Sequence, residues 1–232
     1  AEKWLTATGV AGFWPASRTA PDTVDVLSGD GVVKLEFLRQ QIKKADGQPN
    51  LSLADFILPA EAKQQDHIGA FSVTIQGIEE HIRKFEAAHD DYNKIMLQAL
   101  ADRLAEAFAE LLHEKTRKEL WGYDKNENLS NEELIREAYN GIRPAPGYPA
   151  CPDHTEKYKL FALLGGEANT GIHLTESLAM DPAASVCGWY FANPESKYFG
   201  VGKINEDQLG DYTRRKGLSA DEMKRWLRPV LE

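Results

Sequence analysis

Between Arg143 and Pro152 the chain reads Arg-Pro-Ala-Pro-Gly-Tyr-Pro-Ala-Cys-Pro, which places four of its 11 prolines within ten residues. A proline fixes φ and removes an amide donor but keeps its carbonyl. It also pushes the residue before it out of the helical region. The stretch is expected to be stiff, extended and rich in acceptors, with one permissive joint at Gly147. It cannot occupy the middle of a sheet. Two roles fit this composition. One is a rigid connector between two halves of a domain, the commoner use of proline-rich segments. The other is the wall of a site for a cationic ligand, with Arg143 at its mouth to fork onto an anion.

Two further groups could take part. Asp102, Glu106, Glu110 and Glu114 stand at successive i,i+4 positions, a spacing at which like charges weaken a helix. Arg103, Lys115, Arg117 and Lys118 lie close by, so a solvated, neutralised face accounts for the pattern. The functional alternative is one carboxylate turned inward toward a cationic group, although from the pattern alone the solvated face is the commoner outcome. Trp189, Tyr190, Phe191, Tyr198 and Phe199 form an aromatic run that is either core packing across a hairpin or, at a tyrosine near the turn, a hydroxyl and ring face offered to a ligand. An arginine, a carboxylate, a carbonyl-rich loop and a tyrosine suit a zwitterionic amino acid that bears an extra cation. Carbonyls and aromatic faces also stabilise a sulfonium.

Other chemistries lack their patterns. The chain contains no GxGxxG opening a helix, no GxxxxGK[ST], no HExxH and no GxSxG. Its six histidines are scattered without ligand spacing, which predicts surface or structural roles and no metal. Cys151 and Cys187, the two cysteines, form no CxxC pair. A disulfide between them is allowed but not implied, and a reducing cytoplasm fits. The net charge of −9 opposes binding to nucleic acid or an anionic membrane, which needs a positive field. No apolar run approaches the ~18 residues of a membrane span, and Ala1-Glu2-Lys3-Trp4 carries no signal-peptide pattern. Arg214, Arg215, Lys216, Lys224, Arg225 and Arg228 cluster near the C-terminus. They read as a solvated helix face, or as a dock for an acidic partner.

The elements that must position these residues follow from periodicity. Residues 1–20 read as an irregular opening segment. Thr23–Leu27 and Val32–Leu38 alternate around a Ser-Gly-Asp-Gly turn and predict a β-hairpin. Ala70–Ile75 reads as another strand, ended by Gly77. Apolar residues from Tyr92 to Leu111 recur at helical spacing, and Asp90-Asp91 favours a helix start. This predicts helices over about 78–88 and 90–120. Ser130 with Glu133 forms a capping box that opens a helix running to Gly141. A short helix over about 155–164, a short strand at 173–177, a hairpin of 184–192 with 197–204, and two helices over about 205–216 and 219–228 complete the chain. Hairpins separated by helices define an α+β fold with a mostly antiparallel, twisted sheet flanked by helices. No linker divides the 232 residues, which are expected to form a single domain.

The segment from Arg143 through His154 resembles the RxxxGY signature of the activation domain of cobalamin-dependent methionine synthases. The resemblance extends to residues 89–94, 101–110 and 126–133, to Leu174–Ser177 and Ser185–Phe191, and to Ser196-Lys197-Tyr198, and so spans essentially the whole chain. It implies a module that binds S-adenosylmethionine and caps a cobalamin module. When cob(I)alamin is oxidised to cob(II)alamin, one electron from a flavoprotein and a methyl group from S-adenosylmethionine restore methylcobalamin. By the same resemblance Arg143 binds the ligand carboxylate, and Ala145 and Gly147 hold the adenine and ribose side through backbone groups. Glu106 lies near the ligand's amino group, Tyr198 and Phe199 contact the ligand, and Tyr148 faces the corrin. No general acid or base is implied, because methyl transfer to cob(I) depends on positioning.

Two departures from the family pattern stand out. The family has a second tyrosine where this chain has Phe199. The family's domain also begins earlier, with a W-x-P motif and an aspartate that contacts the ligand, and neither occurs here. The chain further lacks the DxHxxG motif of the cobalamin module and the cysteine-rich zinc site for homocysteine. The resemblance therefore implies a reactivation piece of a multi-module methyltransferase, cytoplasmic and without turnover of its own. Its partners would be the cobalamin module and flavodoxin or a flavoprotein reductase. The alternative is a non-catalytic interaction module that only docks those partners.

Overall fold

A computed structural model describes residues 4–29 and 31–232. Its main sheet has five strands in the order β3-β2-β1-β4-β7: β1 is Thr6–Ala20, β2 Thr23–Ser28, β3 Gly31–Glu36, β4 Asp66–Gln76 and β7 Ser185–Tyr190. The strands pair antiparallel from β1 to β2 and from β2 to β3. A second, two-stranded antiparallel sheet joins β5 (His173–Leu174) to β6 (Met180–Asp181). The helices are α1 (Glu79–Ala87), α2 (Asp91–Lys115), α3 (Asn131–Ile135), α4 (Glu156–Leu164), α5 (Gly166–Thr170), α6 (Glu206–Lys216) and α7 (Ala220–Leu227). The expected α+β architecture, an antiparallel sheet flanked by helices, is what the chain adopts.

The chain folds into two compact units. The first comprises residues 1–12, 70–126 and 161–187. Its core gathers Ile75, Ala101, Ala105 and Ala184, with Ile78 and Val186 packed against them. Helix α2 begins as its sequence predicts, with the Asp90 side chain accepting from the Asn93 amide at 3.1 Å. The face it buries, however, is the small one: Ala101, Ala105, Ala109 and His113. Tyr92, Ile95, Met96, Leu100, Leu104 and Leu111, which carry the helical apolar period, remain exposed. Small residues let the helix approach closely. At Gly9 of β1 an added Cβ would stand 2.9 Å from Val73 and 3.0 Å from Phe108. Past Lys115 the helix widens into a π-turn over Thr116–Leu120, where Thr116 and Arg117 are buried.

The second unit comprises residues 13–69, 127–160 and 188–232. The β2–β3 hairpin forms in the predicted register, with Val26 opposite Val33 and Asp25 opposite Lys34; the Lys34 ammonium donates to Asp25 at 2.9 Å. Asp30, in the predicted turn, lies outside the described residues. Arg39 ties the adjoining loop together by pairing with Asp22 and Asp55, each at 2.8 Å. The second core gathers Leu38, Val201, Ile204, Leu209, Tyr212, Met223 and Leu227.

Three sequence expectations need correction. Residues 6–20 are a long strand, not an irregular segment. Their glycines, alanines and Pro15 hide the alternation that marks a half-buried strand, because the close packing at Gly9 requires small residues there. Helix α3 opens on the predicted capping box, with the Ser130 amide donating to Glu133 at 2.8 Å, but it ends at Ile135 and Glu137 takes a positive φ of 55°. Residues 197–204 do not return as a partner strand for β7. That edge is already taken by the proline stretch.

Candidate functional site

The proline stretch lies along β7 in the second unit. Ile142 and Phe191 exchange two backbone hydrogen bonds of 3.0 Å, and the Trp189 amide donates to the Pro144 carbonyl at 2.9 Å. A proline can accept at a sheet edge although it cannot donate, so the outermost position suits this sequence. The stretch then leaves the edge and closes on itself. Gly147 donates its amide to Cys151 O at 2.7 Å, Tyr148 to Ala145 O at 3.1 Å, and Cys151 to Tyr148 O at 2.9 Å. The Val201 amide donates to Pro149 O at 2.8 Å. The loop's carbonyls are thus less free than composition suggests: those of Pro144, Ala145, Tyr148, Pro149 and Cys151 already accept backbone amides.

Gly147 is the joint the sequence predicts. Its φ is 95°, and an added Cβ would stand 2.2 Å from the His154 ring. Glycine is required there both for the backbone conformation and for the ring that covers it. Burial, with the neighbouring charge of Lys157, depresses the pKa of His154, so the ring packs as neutral imidazole at neutral pH.

Arg143 and Tyr198 come together. The Arg143 amide donates to the Tyr198 hydroxyl at 3.0 Å. Burial raises the Tyr198 phenol above its ordinary pKa, against the lowering effect of the Arg143 amide and charge. The phenol therefore stays protonated at neutral pH, and Tyr139 also hydrogen-bonds with it. Tyr148 stands out from the loop with 62% of its surface exposed. Phe199 differs: its ring packs edge-on to Phe56 at 6.3 Å and joins the second core, which leaves its backbone as the part it presents. Trp189, Tyr190 and Phe191 are core residues.

Glu106 belongs to the first unit. With Asp102, Arg103 and Ser185 it lines a cleft of about 420 Å3 floored by Ala105. Farther along α2, Glu114 pairs with Lys118 at 3.2 Å, so that part of the acidic row is a neutralised surface as its neighbours suggest.

A cluster behind the loop escaped sequence reasoning. Asp153 accepts from the Thr155 amide (2.8 Å), the Thr155 hydroxyl (2.7 Å) and the Tyr212 hydroxyl (2.8 Å). The Lys216 ammonium reaches Asp153 at 2.9 Å and also pairs with Glu156. Burial works against ionisation of Asp153, but the Lys216 charge and these hydrogen bonds outweigh it and hold the carboxyl below its ordinary pKa. Four residues of the C-terminal basic cluster are paired with carboxylates. Lys216 is buried in this network, Arg215 pairs with Glu36 and Asp211, Arg214 with Asp211, and Lys224 with Glu206. Cys151 and Cys187 are both buried and are not joined in a disulfide. Burial, with the nearby carboxylates, pushes Cys151 well above the usual thiol range, so it rests as a protonated thiol. Among the described residues no group of three or more His, Cys, Asp or Glu side chains could hold a metal ion, and no helix is long and apolar enough to cross a membrane.

An antiparallel sheet edged by a proline-braced loop, with the Arg143 amide bonded to the Tyr198 hydroxyl beside it, places the chain in the α+β class. A family model described as "Vitamin B12 dependent methionine synthase, activation domain" matches residues 1–217. The chain belongs to that family, and so to a domain of a multidomain methyltransferase whose activation domain meets the cobalamin module. The chain is also similar to a solved structure described as the crystal structure of the MetH reactivation domain bound to AdoHcy. The two share 56% identity at a TM-score of 0.93, over 99% of this chain and 72% of that one.

Proposed function

We propose that this chain binds S-adenosylmethionine and presents its methyl group to the cobalamin module, so that methylcobalamin is regenerated from oxidised cobalamin. The observation that carries this reading is the 56% identity, across 99% of the chain, to a domain crystallised with AdoHcy, the product that remains when S-adenosylmethionine loses its methyl group. The loop's chemistry fits such a ligand. Arg143 supplies a fork for the α-carboxylate, the Tyr198 phenol supplies a hydroxyl, and Ala145, Gly147 and Phe199 offer backbone groups. Glu106, in its own cleft, offers a carboxylate to an ammonium. Tyr148, exposed at the loop tip, is the residue assigned to face the corrin.

Cobalamin, held by another module, would supply the nucleophilic metal centre. This chain's share of the work is to bind, orient and shield the sulfonium. The methyl would leave sulfur without its bonding electrons, S-adenosylhomocysteine would remain on this chain, and the one electron that oxidised cobalamin requires would come from flavodoxin or another flavoprotein. The chain accordingly has no turnover alone, and its 232 residues serve as one activation domain. Two buried cysteines not joined in a disulfide suit a reducing cytoplasm.

Isothermal titration calorimetry with S-adenosylmethionine tests this function. Binding in the parent, and at least a tenfold loss in Arg143→Ala with an unchanged circular dichroism spectrum, is the expected result. Equal affinity in both proteins would remove Arg143 from the site, and no binding in the parent would remove the function.

A further inference from the structure

The binding loop is held differently at its two ends. Its N-terminal limb is pinned by backbone bonds to the edge of β7, at Ile142 and Pro144. Its C-terminal limb, Cys151 to Glu156, is held by side chains. Asp153 and Glu156, 1% and 0% exposed, converge on Lys216, the last residue of α6; Glu156 also pairs with Lys159 at 2.9 Å, whereas Lys216 is the cation on Asp153. The lysine side chain is itself only 4% exposed. Tyr212, one turn earlier on α6, adds its hydroxyl to Asp153.

This anchor connects to the ligand-facing part of the loop by short steps. Asp153 follows Pro152, whose fixed φ leaves little slack. Cys151, just before that proline, accepts the Gly147 amide at 2.7 Å. His154, immediately after Asp153, covers Gly147. A shift of Asp153 therefore moves both groups that fix the conformation of Gly147, and with it the backbone between Ala145 and Tyr148. Buried charges have no solvent to compensate a displaced partner, so the cluster tolerates one arrangement.

We propose that Lys216 is a positioning residue for ligand binding: through Asp153 and Glu156 it fixes the register of the 145–152 loop, although it lies outside the loop's sequence signature. This inference rests on the S-adenosylmethionine reading for its affinity arm, and its second arm is independent of that reading.

The experiment compares the parent, Lys216→Met and Tyr212→Phe by calorimetry with S-adenosylmethionine and by amide hydrogen exchange read by mass spectrometry. Lys216→Met is expected to weaken binding at least tenfold and to deprotect the Gly147 and Cys151 amides while protection of the β2–β3 hairpin is unchanged. Tyr212→Phe, which keeps the ring and removes one bond to Asp153, is expected to do the same about threefold. If Lys216→Met does not fold, Tyr212→Phe decides. Affinity within experimental error of the parent and unaltered exchange over residues 145–152 overturn the proposal, whatever happens to the melting temperature. If the parent binds no S-adenosylmethionine, the proposed function has failed, and the exchange arm alone supports or overturns the anchor.

Discussion

The Tyr198 hydroxyl accepts the Arg143 backbone amide at 3.0 Å, which joins two residues 55 positions apart at the mouth of the proline loop. The bond orients the arginine's backbone, and the phenol, which also hydrogen-bonds with Tyr139, is the group proposed to contact the ligand. Tyr198→Phe removes both functions. One hydrogen bond of this kind is worth about 1 kcal/mol, so S-adenosylmethionine affinity should fall about fivefold by calorimetry. The melting temperature should change little, because Tyr198 is 39% exposed. Unchanged affinity would remove Tyr198 from the site.

Gly147→Ala tests the loop's joint. The substitution places a Cβ 2.2 Å from the His154 ring, at a φ of 95°. Steric displacement plus left-handed strain should cost about 1–3 kcal/mol of unfolding free energy, measured by urea denaturation. His154→Ala in the same background should recover the steric share and leave the backbone strain. Failure of the second change to recover any stability would mean that the imidazole is not what Gly147 accommodates.

Glu106→Gln separates the carboxylate's charge from its shape. Glu106 is exposed on α2, so stability should hold within about 0.5 kcal/mol. Binding of the cationic ligand should weaken about tenfold, as expected when a charge-assisted hydrogen bond is lost. Equal affinity in both proteins would return Glu106 to the solvated surface.

The buried cluster predicts a pH dependence with a definite sign. Asp153 titrates below its ordinary value in the folded state. Its stabilisation is therefore complete above the unfolded carboxyl pKa of about 3.9 and is lost as pH falls through the lower folded value. Burial lowers the Lys216 pKa, but Glu156 and Asp153 outweigh that effect and raise it. Its stabilisation is complete below the unfolded ammonium pKa of about 10.4 and is lost as pH rises through the higher folded value. Urea midpoints should therefore stay level between these limits as far as this cluster is concerned. In Lys216→Met the Asp153 carboxylate is buried without its cation, while Glu156 keeps Lys159 at 2.9 Å, so burial raises the Asp153 pKa. Relative to the parent, the variant should gain stability as pH is lowered from about 7 to about 5. A constant difference between the two proteins across that range would show that the lysine does not neutralise Asp153.

Much of the architecture could be read locally. The Asp90 and Ser130 caps, the β2–β3 register and the starts of α4, α6 and α7 each depend on a few neighbouring residues, and they appear where those residues place them. The faces of the elements were less legible. The period of α2 marks Tyr92, Ile95, Leu100, Leu104 and Leu111, yet the alanines form the buried face. Helix periodicity identifies a stripe but does not say how closely a neighbour approaches, and here the packing is close enough to require alanine. The hairpin expected after Tyr190 failed for a related reason: β7 could have paired with either of two segments, and the Ile142–Pro144 segment occupies its edge.

By itself, the sequence determined that residues 143–152 are stiff, acceptor-rich and hinged at Gly147, because proline and glycine act on their own φ and ψ. It also carried, through motifs spread along the chain, the family to which the domain belongs. Only the tertiary structure decided that this stretch is an outer sheet edge, that Tyr198 folds back onto Arg143, and that Lys216 is a buried counter-ion to Asp153 rather than part of a basic surface. Those outcomes depend on which distant segments exclude water from one another. A lysine's charge has the same local signature in a solvated helix and in a buried ion cluster, and only the packing around it sets which of the two it becomes.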